Sequence, residues 1–140
     1  MTERVLLVGE SNPHSSDPRY ALWPRPVGAT GDRLCKILCI DAAAYLRTYD
    51  RVNLCTSRWN ARDARDITSG LHHRVRILLG CKVAEAHGIK DWVPFQIYDL
   101  GSCRALALPH PSGRCRYWND PEASHRARAM AAELVDPWPV

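Results

Sequence analysis

Four short apolar runs recur along the chain, and polar, helix-patterned segments separate them. Residues 4–9 (Arg4-Val5-Leu6-Leu7-Val8-Gly9) are almost continuously apolar and end on glycine, the pattern of a strand buried on both faces. Residues 51–55 (Arg51-Val52-Asn53-Leu54-Cys55) and 75–79 predict two more strands, and 103–108 a fourth. Between them, a helix is expected from about Thr30 or Asp32, carrying Leu34, Ile37 and Leu38 inward. Asp41 reads as the N-cap of a short helix over 42–49. Residues 60–73 predict a charged helix with a narrow Ile67/Leu71 stripe. Residues 81–87 predict another, stopped at Gly88. Asp120-Pro121 is a cap and first-turn pair for a last helix through about Val135, which the Pro-Trp-Pro tail ends. Residues 10–31 form a long loop, and residues 92–101 stay ambiguous, with Trp92-Val93-Pro94-Phe95 fitting an extended segment.

Strands that alternate with helices predict an α/β fold: three layers, α/β/α, around a short parallel sheet of about four strands. At 140 residues the chain accommodates one domain, spanning 1–140. Composition changes this picture little. Net charge is only +4, but 16 arginines stand against 3 lysines. Either a preference for arginine's phosphate-matching fork or a GC-rich coding sequence produces that ratio. Met1-Thr2-Glu3-Arg4 leads directly into a strand, and no apolar run approaches the ~20 residues of a membrane helix. The expectation is a soluble, cytoplasmic, monomeric protein that does not engage membranes. Its six cysteines include no CxxC pair, so they are expected to be reduced, with no metal site. Cys35 and Cys39 are expected to share a helix face.

Candidate chemistry gathers at the strand ends. The first strand runs into Gly9-Glu10-Ser11-Asn12-Pro13-His14. The second carries Asn53 and then Thr56, Ser57 and Arg58, and the fourth leads into His110-Pro111-Ser112. Parallel strands end along one edge, so a carboxylate, two carboxamides and an imidazole can meet in one pocket. A carboxamide both donates and accepts and so can read a base edge. An imidazole can hydrogen-bond a leaving oxygen as charge grows on it. Glu10 or Asn12 could place water or offset positive charge on a sugar during glycosidic cleavage. After the histidine, Gly113-Arg114-Cys115-Arg116-Tyr117-Trp118 combines cations and aromatics, which suits phosphate contact and base stacking.

These segments resemble the uracil-DNA glycosylase superfamily. Gly9-Glu10-Ser11-Asn12-Pro13 is similar to its first motif, with one residue more than the usual turn. Asn53-Leu54-Cys55 followed by Arg58-Trp59-Asn60-Ala61-Arg62-Asp63 resembles the second-strand segment of the thermophile-type branch. Ile77-Leu78-Leu79-Gly80 resembles the third strand-to-helix step, and His110-Pro111-Ser112 the last motif. The resemblance runs in order from residue 4 to about 135. It implies a uracil-DNA-glycosylase-like fold and a monofunctional glycosylase acting in DNA repair. Such an enzyme flips a uracil or related base out of single- or double-stranded DNA, cleaves its N-glycosidic bond and leaves an abasic site, without cofactor.

The resemblance also implies roles for matching residues. His110 would stabilise the departing base, Asn53 would read its edge, and Trp23 or Tyr20 would stack on it. Ser112 would contact a DNA phosphate, and Gly113, Arg114, Arg116 and Tyr117 would lie in the loop entering the minor groove; Arg58 is expected on the DNA side too. Counted from Gly9, Glu10 matches the catalytic acid of the iron–sulfur branch. Counted back from Pro13, Asn12 matches the residue that other branches use. The cysteines that hold the cluster of the iron–sulfur branch have no counterparts here. Two other readings fit the altered first motif and the weak charge. One is a binding protein with little or no excision activity; the other is an enzyme acting on a hypermodified base or a free nucleotide.

Overall fold

The computed structural model describes residues 4–12 and 15–135. Pro13, His14 and the Pro-Trp-Pro tail, all singled out above, lie outside the described residues. The chain folds as a mixed α/β protein on a five-stranded sheet. Its elements are β1 (Val5–Ser11), α1 (Thr30–Leu38), α2 (Ala42–Thr48), β2 (Tyr49–Cys55) and α3 (Ala61–Ser69). Then follow β3 (Val75–Leu79), α4 (Cys81–Ala86), β4 (Gln96–Asp99), β5 (Arg104–Leu108) and α5 (Pro121–Val135).

Strand order is β2-β1-β3-β5-β4, with all pairings parallel except β4 against β5. The expected sheet of about four parallel strands is present, and an antiparallel edge strand extends it. That strand was missed because residues 92–101 lack a clean alternation. Trp92 to Phe95 are not an extended strand: Phe95 has φ of 64°, and β4 begins one residue later. The 60–73 helix also ends early, at Ser69. His73 leaves it to pair with Asp50, Nε2 to Oδ2 at 2.7 Å. Cys39 lies beyond α1 with φ of 57° and is exposed while Cys35 is buried, so the two do not share a helix face.

Strand periodicity builds the two cores. On β1, Val5 and Leu7 pack with Leu34, Ile37, Tyr45, Ala127 and Leu134, under α1, α2 and α5. Leu6 and Val8 pack on the other face with Ala64, Val83 and Ala84, under α3 and α4. Both faces of the parallel strands are covered, as a near-continuous apolar run requires. Asp41 caps α2 by accepting from Ala44 N–H at 2.7 Å, as its position predicted. No helix among the described residues is long and apolar enough to cross a membrane.

His87, at the end of α4, couples this packing to pH. Its Nδ1 lies 2.9 Å from the Val83 carbonyl and donates to it, while the buried Nε2 has no partner. Burial pushes its pKa down from 6.5 to about 4, opposed by the Val83 bond and reinforced by Arg76. The unfolded chain therefore binds more protons than the folded one between those values, and stability rises with pH across that window. The gap corresponds to about 3 kcal/mol, lost as pH falls from 6.5 to below 4. His87→Asn retains a donor near Nδ1 and cannot titrate. Urea unfolding of this variant at pH 4 and 7 should show a smaller difference than the parent; an equal difference would clear His87 of this role.

Candidate active site

The chain leaves β1 toward β2 on one side and returns to β3 on the other, so the crevice beyond β1 and β3 is the switch point of the sheet. Open α/β sheets bind ligands at that crevice. A cavity of about 810 Å³ opens at this edge. Glu10, Asn12, Asn53 and His110 line it, with Tyr20 and Trp23. Every candidate catalytic and base-reading residue therefore faces one space.

Each side chain is set by a local cause. Asn53 pairs in register with Gly9 across β1 and β2. A methyl group on Gly9 would sit 2.5 Å from Asn53 Oδ1 and 3.0 Å from Leu22 Cδ2, so only glycine lets the amide lie against β1. That Oδ1 is buried and has no hydrogen-bond partner. A buried acceptor left unpaired costs about 1–3 kcal/mol, which a donor from a ligand would offset.

His110 follows Pro109 at the end of β5. Ser112 N–H donates to its Nδ1 at 3.1 Å, and Trp118 Nε1–H donates to its carbonyl at 2.9 Å. The neutral ring consequently carries its proton on Nε2. Burial lowers the His110 pKa; Glu10 works in the opposite direction and Lys82 adds to the lowering. Gly80, with φ of 101°, lies between the two functional groups: a methyl there would be 3.4 Å from Glu10 Oε1 and 3.4 Å from His110 Cβ. Its N–H bonds the Leu108 carbonyl at 2.8 Å, which ties β3 to the start of the histidine loop.

The far wall is the segment before α1. Trp23 and Tyr20 meet edge to face at 5.3 Å and 78°. Arg51 supports them from β2. Its Nη1 donates to the Ala21 carbonyl at 2.7 Å and the Arg19 carbonyl at 3.2 Å, and its Cζ lies 5.3 Å from the Trp23 ring centre. Asn12 Nδ2 donates to the Tyr20 carbonyl at 3.4 Å. Tyr45, fully buried, donates to the Leu22 carbonyl at 2.8 Å and holds that residue at φ of 51°.

The residues expected to face a nucleic acid are elsewhere on the same edge, outside the cavity lining. Ser112 is half-buried; Gly113, Arg114, Arg116 and Tyr117 are exposed. Arg58 is exposed after β2, and two strands separate β2 from β5. Arg33 of α1 underlies this loop, its Nη2 2.6 Å from where a Gly113 side chain would begin. Sequence reading missed Arg33 and Arg51. Arg51 could have been suspected, since residues two apart on a strand share a face and Asn53 follows it. Arg33 is brought to the site by packing between distant elements. Among the described residues, no three His, Cys, Asp or Glu side chains gather as metal ligands.

No protein-family model matches the chain, and no curated protein matches it.

Gly9→Ala should destabilise the fold by overpacking, by about 1–3 kcal/mol, and rotate the Asn53 amide. Thermal unfolding and the Asn53 side-chain amide resonances report the two effects. An unchanged melting point with unmoved resonances would contradict the packing described.

Proposed function

We propose that the protein is a DNA glycosylase of the uracil-DNA glycosylase superfamily, hydrolysing the N-glycosidic bond of uracil or a related modified base. The observation that carries this reading is the meeting of Glu10, Asn53 and neutral His110 in one cavity, walled by Tyr20 and Trp23. A pyrimidine edge offers a ring N–H between carbonyls. Asn53, with an unpaired buried Oδ1, suits that donor. Trp23 and Tyr20 provide aromatic surface for the ring of the extruded base.

As the glycosidic C–N bond breaks, its electron pair passes into the base and onto a carbonyl oxygen. Nε2–H of His110 donates to that oxygen, where negative charge grows. The sugar becomes oxocarbenium-like, and Glu10 offsets its charge and takes the proton of the attacking water. Asn12 commits its amide to the Tyr20 carbonyl, which suits a residue that shapes the loop more than one that activates water. Ser112, Arg114, Arg116, Tyr117 and Arg58 would hold the strand, with affinity that falls as salt rises.

In single-turnover assays on uracil-containing oligonucleotides, His110→Ala should slow cleavage by roughly 10²–10³. Glu10→Gln should slow it by about 10², and Asn12→Ala by less than ~10-fold. A Glu10→Gln protein as fast as its parent would transfer the water to Asn12, and an unimpaired His110→Ala protein would end the assignment.

The pH profile follows from the lowered pKa of His110. The rate should hold through neutrality and fall only below the pH at which an ordinary imidazole protonates, because a proton on Nδ1 would face the Ser112 N–H. A decline already under way above neutrality would contradict a neutral imidazole.

A further inference from the structure

The cavity is larger than an unmodified pyrimidine requires. An extruded deoxynucleotide of about twenty heavy atoms, base and sugar together, displaces about ten waters, on the order of 300 Å³ at ~30 Å³ per water. The cavity holds about 810 Å³, and its lining continues past the aromatic pair to Arg25, Pro26, Gly28, Ala29 and Thr30. Charge is divided between the two walls. Among the described lining residues, Glu10 is the single carboxylate and Arg25 the single permanent cation, the first at the sheet edge and the second on the loop before α1.

That loop is anchored. Gly28 N–H donates to Asp32 Oδ2 at 2.8 Å, and Ala29 N–H to the Pro26 carbonyl at 3.0 Å. Asp32 is also held by Lys36 at 3.3 Å, so the nearest carboxylate of α1 is already engaged. No hydrogen bond or ion pair engages Arg25 among the described residues. Arg25 also borders a second cavity of about 520 Å³, which Lys36, Asp32 and Asp41 line as well, Asp41 accepting from Ala44 N–H as the cap of α2. A ligand seated on Asn53 and His110 would thus leave unfilled space bordered by Arg25, an exposed residue with no hydrogen bond or ion pair among the described residues.

Resting on the glycosylase reading, we propose that the substrate is a pyrimidine enlarged by an anionic substituent on its ring, which Arg25 receives. Guanidinium pairs with carboxylate or phosphate through two parallel hydrogen bonds, so a phosphate ester on the base is the best-matched probe.

The test compares single-turnover release of uracil, 5-hydroxymethyluracil and 5-phosphoryloxymethyluracil from the same oligonucleotide. The phosphorylated base should leave at least about 10-fold faster than 5-hydroxymethyluracil, and Arg25→Gln should lower that ratio by about 10-fold. Taking the ratio within each protein removes the intrinsic difference in leaving ability. Equal rates for the three bases, or a ratio that Arg25→Gln leaves unchanged, would overturn the proposal while the glycosylase reading stands. Calorimetry with deoxyuridine and 5-phosphoryloxymethyl-2′-deoxyuridine covers a protein that releases no base. Tighter binding of the phosphorylated nucleoside, weakened in Arg25→Gln, would support the subsite and remove the glycosylase reading. Binding of neither nucleoside would overturn both.

Discussion

Four strands of one sheet run in the same direction, and each must leave the sheet at the same edge. The polar residues that follow each apolar run are therefore delivered to a common line, however far apart they lie in sequence. Glu10 lies one residue before the end of β1, Asn53 near the end of β2, Gly80 directly after β3 and His110 two residues after β5. Because the chain turns to opposite sides of β1, the crevice between β1 and β3 stays open at that edge. The rest of the site consists of elements that hold side chains still around this crevice.

The histidine illustrates how the fold sets chemistry. Ser112 decides which ring nitrogen bears the proton, and burial keeps the ring neutral. Trp118 holds the carbonyl of the same residue, and Phe95 packs edge to face against Trp118 at 5.7 Å. Arg126 of α5 then covers the Phe95 ring at 4.5 Å. The histidine loop thus abuts an aromatic cluster between β4 and α5, in which Phe95 has φ of 64°. Arg51 does similar work for the opposite wall, and its alignment with Asn53 on β2 links the wall to the residue that would read the ligand.

Much of the architecture was legible because it depends on local rules. The β3 and β5 runs, the Asp41 cap and the start of α5 at Pro121 each follow from a few neighbouring residues. Boundaries were less legible where several contacts compete. The charged stretch after residue 60 continues past Ser69, but Asp50 draws His73 away from the helix. The edge strand β4 has only β5 as neighbour and alternates poorly, so its pairing comes from β5 and not from its own pattern.

The sequence by itself determined the strand–helix alternation, hence the parallel sheet, and hence which polar residues would share an edge. Hydrophobic periodicity and capping act over a few residues, so they can be read without the fold. The surroundings of each candidate residue were decided only in three dimensions. The surroundings of Glu10 and Asn12 could not be read from the sequence; Gly80 packs close to both Glu10 and His110, and the Tyr20 carbonyl engages Asn12. Arg25, Arg33 and Arg51 look alike among sixteen arginines. Only packing distinguishes one that lines the cavity, one that underlies the histidine loop and one that braces the aromatic wall. These differences arise from contacts between residues tens of positions apart, which no local pattern encodes.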